Sequence, residues 1–353
     1  MNLPLCSVVI TAYNSAGDLP GCLDGLLAQD YPAFEIILVD NASTDNTQTV
    51  VERYLKQHGE RIRCRRLPVN RAITGGYNAG AEIAQGEILL FINADTVPQP
   101  GWLSALAEPL RRDPRIGLTT SRILLFDAPD RVNTCGNSLT WTGLTVCRGF
   151  GEPAEQWREA GEVVAVSGAA FAIRRSLFEQ IGGFDETFEF YLDDTDLSLR
   201  ALLAGYTAWF VPDSLILHKY TFKFGASKAF YIERNRWLTM LKALRLPTLL
   251  ILLPGLILGD LIAWVYAAMQ GPEHLQAKAA SWRWLWANRR MIGELRRRTQ
   301  AARRVRDRDV LRAFSSELRF TGTVSDKTAR FLGRTVKPLL QTYGTVCRAL
   351  ALW

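Results

Sequence analysis

EILLFINADT, residues 87–96, is the stretch on which the fold turns. Ile88 to Ile92 is an unbroken apolar run, bounded by Glu87 and Asn93. A run this short and this apolar reads as a strand covered on both faces. Asn93, Ala94 and Asp95 stand directly after its end. An amide and a carboxylate at that spacing can hold a hard divalent cation through oxygen. The plainer alternative is a turn or helix cap, which Asn and Asp also favour.

Working outward, the same grammar repeats. Leu5–Ala12 is rich in β-branched residues, and Glu35–Asp40 (EIILVD) is again strand-like. Ile62–Leu67 is a weaker strand. Helical stretches are expected at Asp18–Ala28, Asp45–Gln57 and Gly75–Ala84. Apolar strands alternating with helices predict an α/β fold with a mostly parallel sheet flanked by helices. Polar residues follow three of the strands, at Thr11–Ser15, Asp40–Thr47 and Asn93–Thr96. Ligands of open α/β sheets bind outside the carboxyl ends of the strands, so these segments outline a polar-ligand site.

A second acidic group is Asp193-Asp194-Thr195-Asp196. Three crowded carboxylates raise one another's pKa toward that of a useful general base. A helix N-terminus, where acids complement the macrodipole, explains the same residues, and both readings can hold together. The preceding Gly182-Gly183-Phe184-Asp185-Glu186 is a turn able to carry a loop over a cleft.

Composition narrows the class further. Across 353 residues, 48% are hydrophobic and 22% charged, which excludes a disordered chain. The mean hydropathy is near zero, which excludes a polytopic membrane protein. The six cysteines form no Cys-x-x-Cys pair, so a zinc ribbon is not expected. MNLPLCSVVITAYN does not read as a signal peptide, and a reducing cytoplasm is the expected compartment. The net charge of +7 is uneven. Residues 276–353 hold 18 Lys and Arg against 5 Asp and Glu, a balance of +13, and the remainder is −6. Such a tail is suited to an anionic surface, either membrane or nucleic acid.

These segments, in this order, resemble the family 2 inverting glycosyltransferases with a GT-A fold. The likeness is greatest to their bacterial rhamnosyltransferase-like branch, which builds surface polysaccharides. It is carried by Val8–Asn14, Val39–Asp45, Asn70–Gly80, Phe91–Asp95, Ser167–Ala169, Gly182–Asp185 and Asp193–Leu197. The resemblance implies that Thr11, Tyr13 and Asp40 line the nucleotide base and ribose pocket, with Asn14, Asn41 and Ser43 nearby. Asp40 can accept a hydrogen bond from a pyrimidine imide N–H. Asn70, Gly76 and Asn78 match a loop close to the donor sugar, in which the family often has Gly where this chain has Ala72. Asn93-Ala94-Asp95 matches the Asp-x-Asp metal motif with its first acid replaced, leaving Asp95 as the main ligand of Mg2+ or Mn2+. His218 is a further metal-ligand candidate, or else a structural histidine. Asp194 matches the catalytic base and Asp193 its acidic neighbour, with Asp196, Ser167 and Gly168 on the acceptor or loop side. Arg234 and Arg236 match an Arg-Asn-Arg element near the diphosphate; a solvated basic helix face is the alternative.

The expected organisation is a GT-A catalytic domain over residues 1–225 and a C-terminal helical, membrane-associating region over 226–353. Leu246–Met269 is long and apolar enough to span a bilayer. Pro247, Pro254, Gly255, Gly259 and Asp260 interrupt it, and basic residues flank it on both sides. A re-entrant or in-plane helical hairpin, keeping both flanks cytoplasmic, is therefore expected. Trp282, Trp284 and Trp286, followed by arginines, read as interfacial anchors, so membrane is favoured over nucleic acid. The expected activity is inverting transfer of rhamnose from dTDP-rhamnose to a lipid-linked saccharide, on the cytoplasmic face of the inner membrane. A UDP-hexose donor and a catalytically inactive scaffold are the alternatives. The presence of Asp95 and Asp194 speaks against the scaffold.

Overall fold

The computed structural model describes residues 3–221, 224–316, 326–351 and 353, with backbone alone over 326–336. Parts of the basic tail, 317–325 and 352, lie outside the described residues. The chain divides into two compact units. The first comprises residues 1–136, 147–201 and 206–222; the second comprises 137–146, 202–205 and 223–353. The division therefore differs from a single cut after residue 225, because a ten-residue excursion at 137–146 belongs with the helical unit.

The first unit opens with β1 (Cys6–Ala12), α1 (Leu19–Leu27), β2 (Phe34–Asp40), α2 (Thr47–His58), β3 (Ile62–Arg66), α3 (Ala72–Ile83) and β4 (Ile88–Asn93). There follow β5 (Thr96–Pro98), α4 (Trp102–Arg112), β6 (Ile116–Leu125) and β7 (Ala128–Thr134). The short strands β8 (Asn137–Leu139) and β9 (Thr145–Cys147), at the two ends of the excursion that belongs with the helical unit, pair with each other. The unit closes with β10 (Gly161–Val163), β11 (Ala170–Arg174), α5 (Arg175–Gln180), α6 (Asp193–Leu203) and β12 (Thr207–His218). Ten strands form one sheet, with the path β10-β12-β6-β11-β4-β1-β2-β3. The pairs β2–β3, β1–β2, β1–β4 and β6–β12 are parallel, whereas β11 runs antiparallel between β4 and β6.

The apolar strands are buried as their composition requires: Val8, Val9, Ile10, Leu38, Val39, Leu90, Phe91 and Ile92 are all fully enclosed. The helix expected at 75–84 starts three residues earlier, at Ala72. Gly76 and Gly80 give α3 its flat face, since a Cβ at either would lie 2.3 Å from Thr11 or Val9 of β1. β12 runs unbroken from Thr207 to His218. Its register against β6 shifts between Val211 and Leu215, a bulge that accommodates Pro212 in an otherwise paired strand.

The second unit is helical: α7 (Ala226–Ala243), α8 (Leu246–Gln270), α9 (Pro272–Ala287), α10 (Arg289–Ala301), α11 (Asp307–Arg312) and α12 (Asp326–Leu350). No hairpin forms within 246–269, because α8 is one continuous helix and the chain reverses only at Gly271, whose φ is +109°. The residues read as interruptions are contacts. A Cβ at Gly255 or Gly259 would meet the carbonyl oxygen of Trp141 or Thr142 at 2.6 or 2.7 Å. The Tyr343 hydroxyl accepts from Gly255 N at 3.2 Å and donates to Ile251 O at 2.9 Å, bridging the turn that carries Pro254. Asp260 is held by Lys278, by Arg236 at 3.1 Å and by the Trp237 indole N–H at 3.2 Å.

Candidate active site

All site geometry described here lies within the first unit. At the end of β1, Asn14 takes a left-handed φ of 51° and interlocks with the loop after β2. Its N–H donates to Ser43 Oγ at 3.0 Å, and its Oδ1 accepts from Thr44 N at 2.8 Å. Tyr13 is left exposed on this rim. Asp40, at the end of β2, is 2% exposed. One carboxylate oxygen accepts from Ser43 N at 2.9 Å. The other has no hydrogen-bond partner among the described residues and faces Arg66 Nε at 3.5 Å. Thr11 Oγ1 is likewise buried without a partner. Two unsatisfied buried oxygens at adjacent strand ends are the kind of feature a ligand completes.

The loop before α3 is built by amides. Asn41 Nδ2 donates to Asn70 Oδ1 and Ala72 O, and Asn41 Oδ1 accepts from Arg71 N. Asn70 Oδ1 also accepts from Ala72 N at 2.8 Å. These bonds hold Ala72 at a φ of 56°, a left-handed conformation that costs a Cβ residue about 1 kcal/mol or more. They explain how alanine serves where glycine is expected. Asn78 is also engaged: it bonds both Phe184 N and Phe184 O, pinning the turn after Gly183. Asn41, Asn70 and Asn78 thus shape loops through these amides.

The metal-motif residues come together through strand pairing. β5 runs antiparallel to the end of β12, with Thr96 opposite His218. That register brings His218 Nε2 to 3.4 Å from Asp95 Oδ1. His218 Nδ1 lies 2.9 Å from Asn133 Oδ1. An amide oxygen is an acceptor only, so Nδ1 carries a proton, and in the neutral ring Nε2 is the nitrogen left to ligate a cation beside Asp95. Asn133, on β7, was not anticipated from sequence, and its stretch APDRVNT gives no sign of it. Asn93 Oδ1 accepts from the Tyr77 hydroxyl at 2.9 Å, another unforeseen contact. Among the described residues no three His, Cys, Asp or Glu side chains cluster as a complete metal cage. Asp95 and His218 supply a mixed oxygen and nitrogen pair that fits a divalent ion sharing its other positions with phosphate and water.

The second acidic group begins α6. Asp194 Oδ2 accepts from Gly168 N at 2.8 Å and Oδ1 from Thr195 N at 2.6 Å, which fixes the carboxylate plane. Asp193 is 8% exposed. Burial, followed by the charge of Asp194, pushes its carboxyl well above the ordinary range. Burial also raises Asp194, against the pull of its backbone donors. Asp196 pairs with Arg200 at 2.8 Å, and Arg200 reaches Ile181 O and Gly183 O, each at 2.7 Å. The Gly182-Gly183 turn is therefore clamped to α6. Ser167–Ala169 connects the two acidic groups: Asn93 N donates to Ala169 O at 3.0 Å, while Gly168 N holds Asp194. Ser167 N is fixed by Thr120 Oγ1 at 3.1 Å. Arg234 and Arg236 belong to the second unit and are 1% and 0% exposed. Arg236 pairs with Glu233 and Asp260, and Arg234 lies over Trp284 at 4.7 Å, so neither is a solvated basic face.

A mostly parallel sheet with acidic and polar residues at its strand ends, linked through Ser167–Ala169 to the carboxylates that begin α6, is the architecture of a GT-A domain. The comparisons place it more closely. The model of glycosyl transferase family 2 matches residues 7–182. An N-acetylglucosaminyl-diphospho-decaprenol L-rhamnosyltransferase of Mycobacterium tuberculosis is 30% identical over 256 residues, covering 65% of this chain and 80% of that protein. The chain belongs to glycosyltransferase family 2. A probable glycosyltransferase of Bacillus subtilis, YdaM, is 24% identical over 239 residues, 67% of this chain, which spans only 54% of that protein's length. The mannosyltransferase PcManGT of Pyrobaculum calidifontis, solved with GDP-Man and Mn2+, shares the fold at a TM-score of 0.53 and 20% identity, over 100% of this chain and 88% of that one.

Proposed function

We propose that the protein is an inverting glycosyltransferase that moves a sugar, L-rhamnose from dTDP-rhamnose, onto a lipid-linked saccharide. The observation that carries this reading is the arrangement of Asp194, oriented by two backbone donors and linked through Ser167–Ala169 to the end of β4, just beyond which Asp95 lies beside His218 of β12. Asp40, with one unsatisfied oxygen, would accept the imide N–H of the base, and the buried Thr11 hydroxyl would meet the nucleoside. Asp95 and His218 would hold Mg2+ or Mn2+, which when bound supplies charge neutralisation on the departing diphosphate. The Mn2+ in the related mannosyltransferase structure supports that choice.

Asp194 takes the proton of the acceptor hydroxyl. The hydroxyl oxygen bonds to the anomeric carbon from the face opposite the nucleotide. The carbon–oxygen bond to the diphosphate breaks, and the nucleoside diphosphate leaves with the electron pair. A base with a raised pKa suits this step at neutral pH. The lipid-linked acceptor is supported by the name of the mycobacterial relative, and a cytoplasmic membrane face, met peripherally or monotopically, by apolar α8 and the basic tail. A UDP-hexose donor is the second reading, because Asp40 would accept from uracil and thymine alike.

A panel of nucleotide sugars, scored for thermal shift and donor turnover with Mn2+, tests the donor. dTDP-rhamnose is expected to give the largest shift; a preference for a UDP-hexose would replace it. Asp194→Asn is expected to lower turnover by about 10²–10⁴-fold while keeping donor binding. Undiminished turnover would remove Asp194 from the role of base.

A further inference from the structure

The exposed residues of α8 follow a helical row. Leu246, Leu250, Leu253, Ile257, Leu261 and Val265 recur at three- and four-residue spacing, each at least 40% exposed. The row runs the length of a helix about 37 Å long at 1.5 Å per residue. Its opposite face is buried: Thr248, Leu252, Gly255, Leu256 and Gly259 are enclosed within the second unit. α12 packs beside it through Tyr343 and the Trp353 indole, which donates to Thr248 Oγ1 at 2.8 Å. On α12, Leu340 and Cys347 are buried, while Leu339, Val346 and Leu350 form a second exposed apolar row at seven- and four-residue spacing.

A helix that crosses a bilayer must be apolar around its whole circumference or pack its polar groups against other membrane segments. α8 is apolar enough by composition, but its one carboxylate and one of its faces are committed to the second unit. Its buried face lies against the backbone at Trp141 and Thr142, and Asp260 is tied to Lys278 of α9 and Arg236 of α7. Freeing α8 to span would strand buried Lys278 and Arg236, each no more than 2% exposed, without this carboxylate.

We infer that α8 and α12 together form an in-plane docking face for an anionic bilayer, with α8 lying along the membrane surface. Charge complementarity identifies the occupant. Trp286 is 73% exposed with Arg289 over its ring at 5.0 Å, Arg290, Arg297 and Arg298 are exposed, and residues 276–353 carry +13. Apolar rows in the same unit as exposed arginines and an exposed tryptophan match acyl chains beneath acidic headgroups. Of the three tryptophans 282, 284 and 286, only Trp286 is fully presented: Trp282 packs on Trp237 and Trp284 lies under Arg234. The inference deepens the lipid-linked-acceptor reading above and rests on it for its purpose.

The test uses the full chain with preformed vesicles of phosphatidylcholine, with or without one-quarter phosphatidylglycerol. Flotation is expected with the anionic vesicles, weakened by salt. Leu250→Asp combined with Leu261→Asp is expected to reduce it about tenfold or more, with circular dichroism and donor hydrolysis unchanged. Depth is read separately. Cys147, the exposed cysteine, is removed as Cys147→Ser, and an Ile257→Cys variant carries a fluorophore. Lipids labelled near the headgroup are expected to quench it more than lipids labelled near the chain end. Strongest quenching at the chain end would establish a span and overturn the in-plane assignment. Absence of flotation together with concentration-dependent dimers would assign the face to a second copy and also overturn it. Flotation without nucleotide-sugar turnover would uphold the docking face and refute the enzymatic reading instead.

Discussion

Asp196→Ala is expected to cost the first unit about 3 kcal/mol. The Asp196–Arg200 pair is buried on both sides, with side chains 4% and 9% exposed. Removing one partner of such a pair costs about 3–5 kcal/mol, because the other charge stays buried. Arg200 keeps two charge-assisted bonds, to Ile181 O and Gly183 O, which places the loss at the low end of that range. At about 2–4 °C per kcal/mol for a domain of this size, the melting temperature should fall about 6–12 °C. Thermal and urea unfolding of the full chain, followed by circular dichroism, reads the loss. Asp196→Asn, which keeps an uncharged acceptor for the Arg200 Nε–H, should lose less than Asp196→Ala. A loss in Asp196→Ala below about 1 kcal/mol, or a loss in Asp196→Asn as large as in Asp196→Ala, would refute the reasoning. Turnover should fall along with stability in Asp196→Ala, since the clamp joins the Gly182-Gly183 turn to the helix that bears Asp194.

Two further outcomes follow from the site. Asp193→Asn should stabilise the protein in mildly alkaline buffer and leave it unchanged near pH 4. The folded carboxyl sits above its unfolded value of about 3.9, so the native state binds the extra proton and loses stability as pH rises through that window, a loss the neutral amide avoids. A gain that persists undiminished at pH 4 would contradict this. Asn133→Ala should weaken Mn2+ binding by calorimetry about 10–100-fold, because the His218 ring loses the acceptor that sets its tautomer. Unchanged affinity would show that Asn133 does not position His218.

What could be read in the sequence was local. The run Ile88–Ile92 and its Asn93-Ala94-Asp95 terminus, the strands at Cys6–Ala12 and Phe34–Asp40, and the acidic start of α6 all announce themselves within a few residues. What escaped depended on distant partners. Asn133 matters because β7 lays it beside a histidine 85 positions away. Asn41, Asn70 and Asn78 have the composition of ligand-binding residues, yet the amide bonds that occupy them join loops no local window contains. Pro254, Gly255 and Gly259 carry the signature of breaks in a helix. The Tyr343 hydroxyl and the close backbone at Trp141 turn those same residues into packing contacts.

The short peptide Ser167–Ala169 has a consequence for how such an enzyme can change its substrates. It touches Asn93 through one backbone group and Asp194 through another, so in the proposed mechanism main-chain atoms would gauge the separation between proton removal and leaving-group departure. The exposed side chain of Tyr13 can be exchanged without altering that gauge. On that proposal sugar preference would be free to drift along the rim, while the stereochemical course of the reaction would stay tied to the backbone.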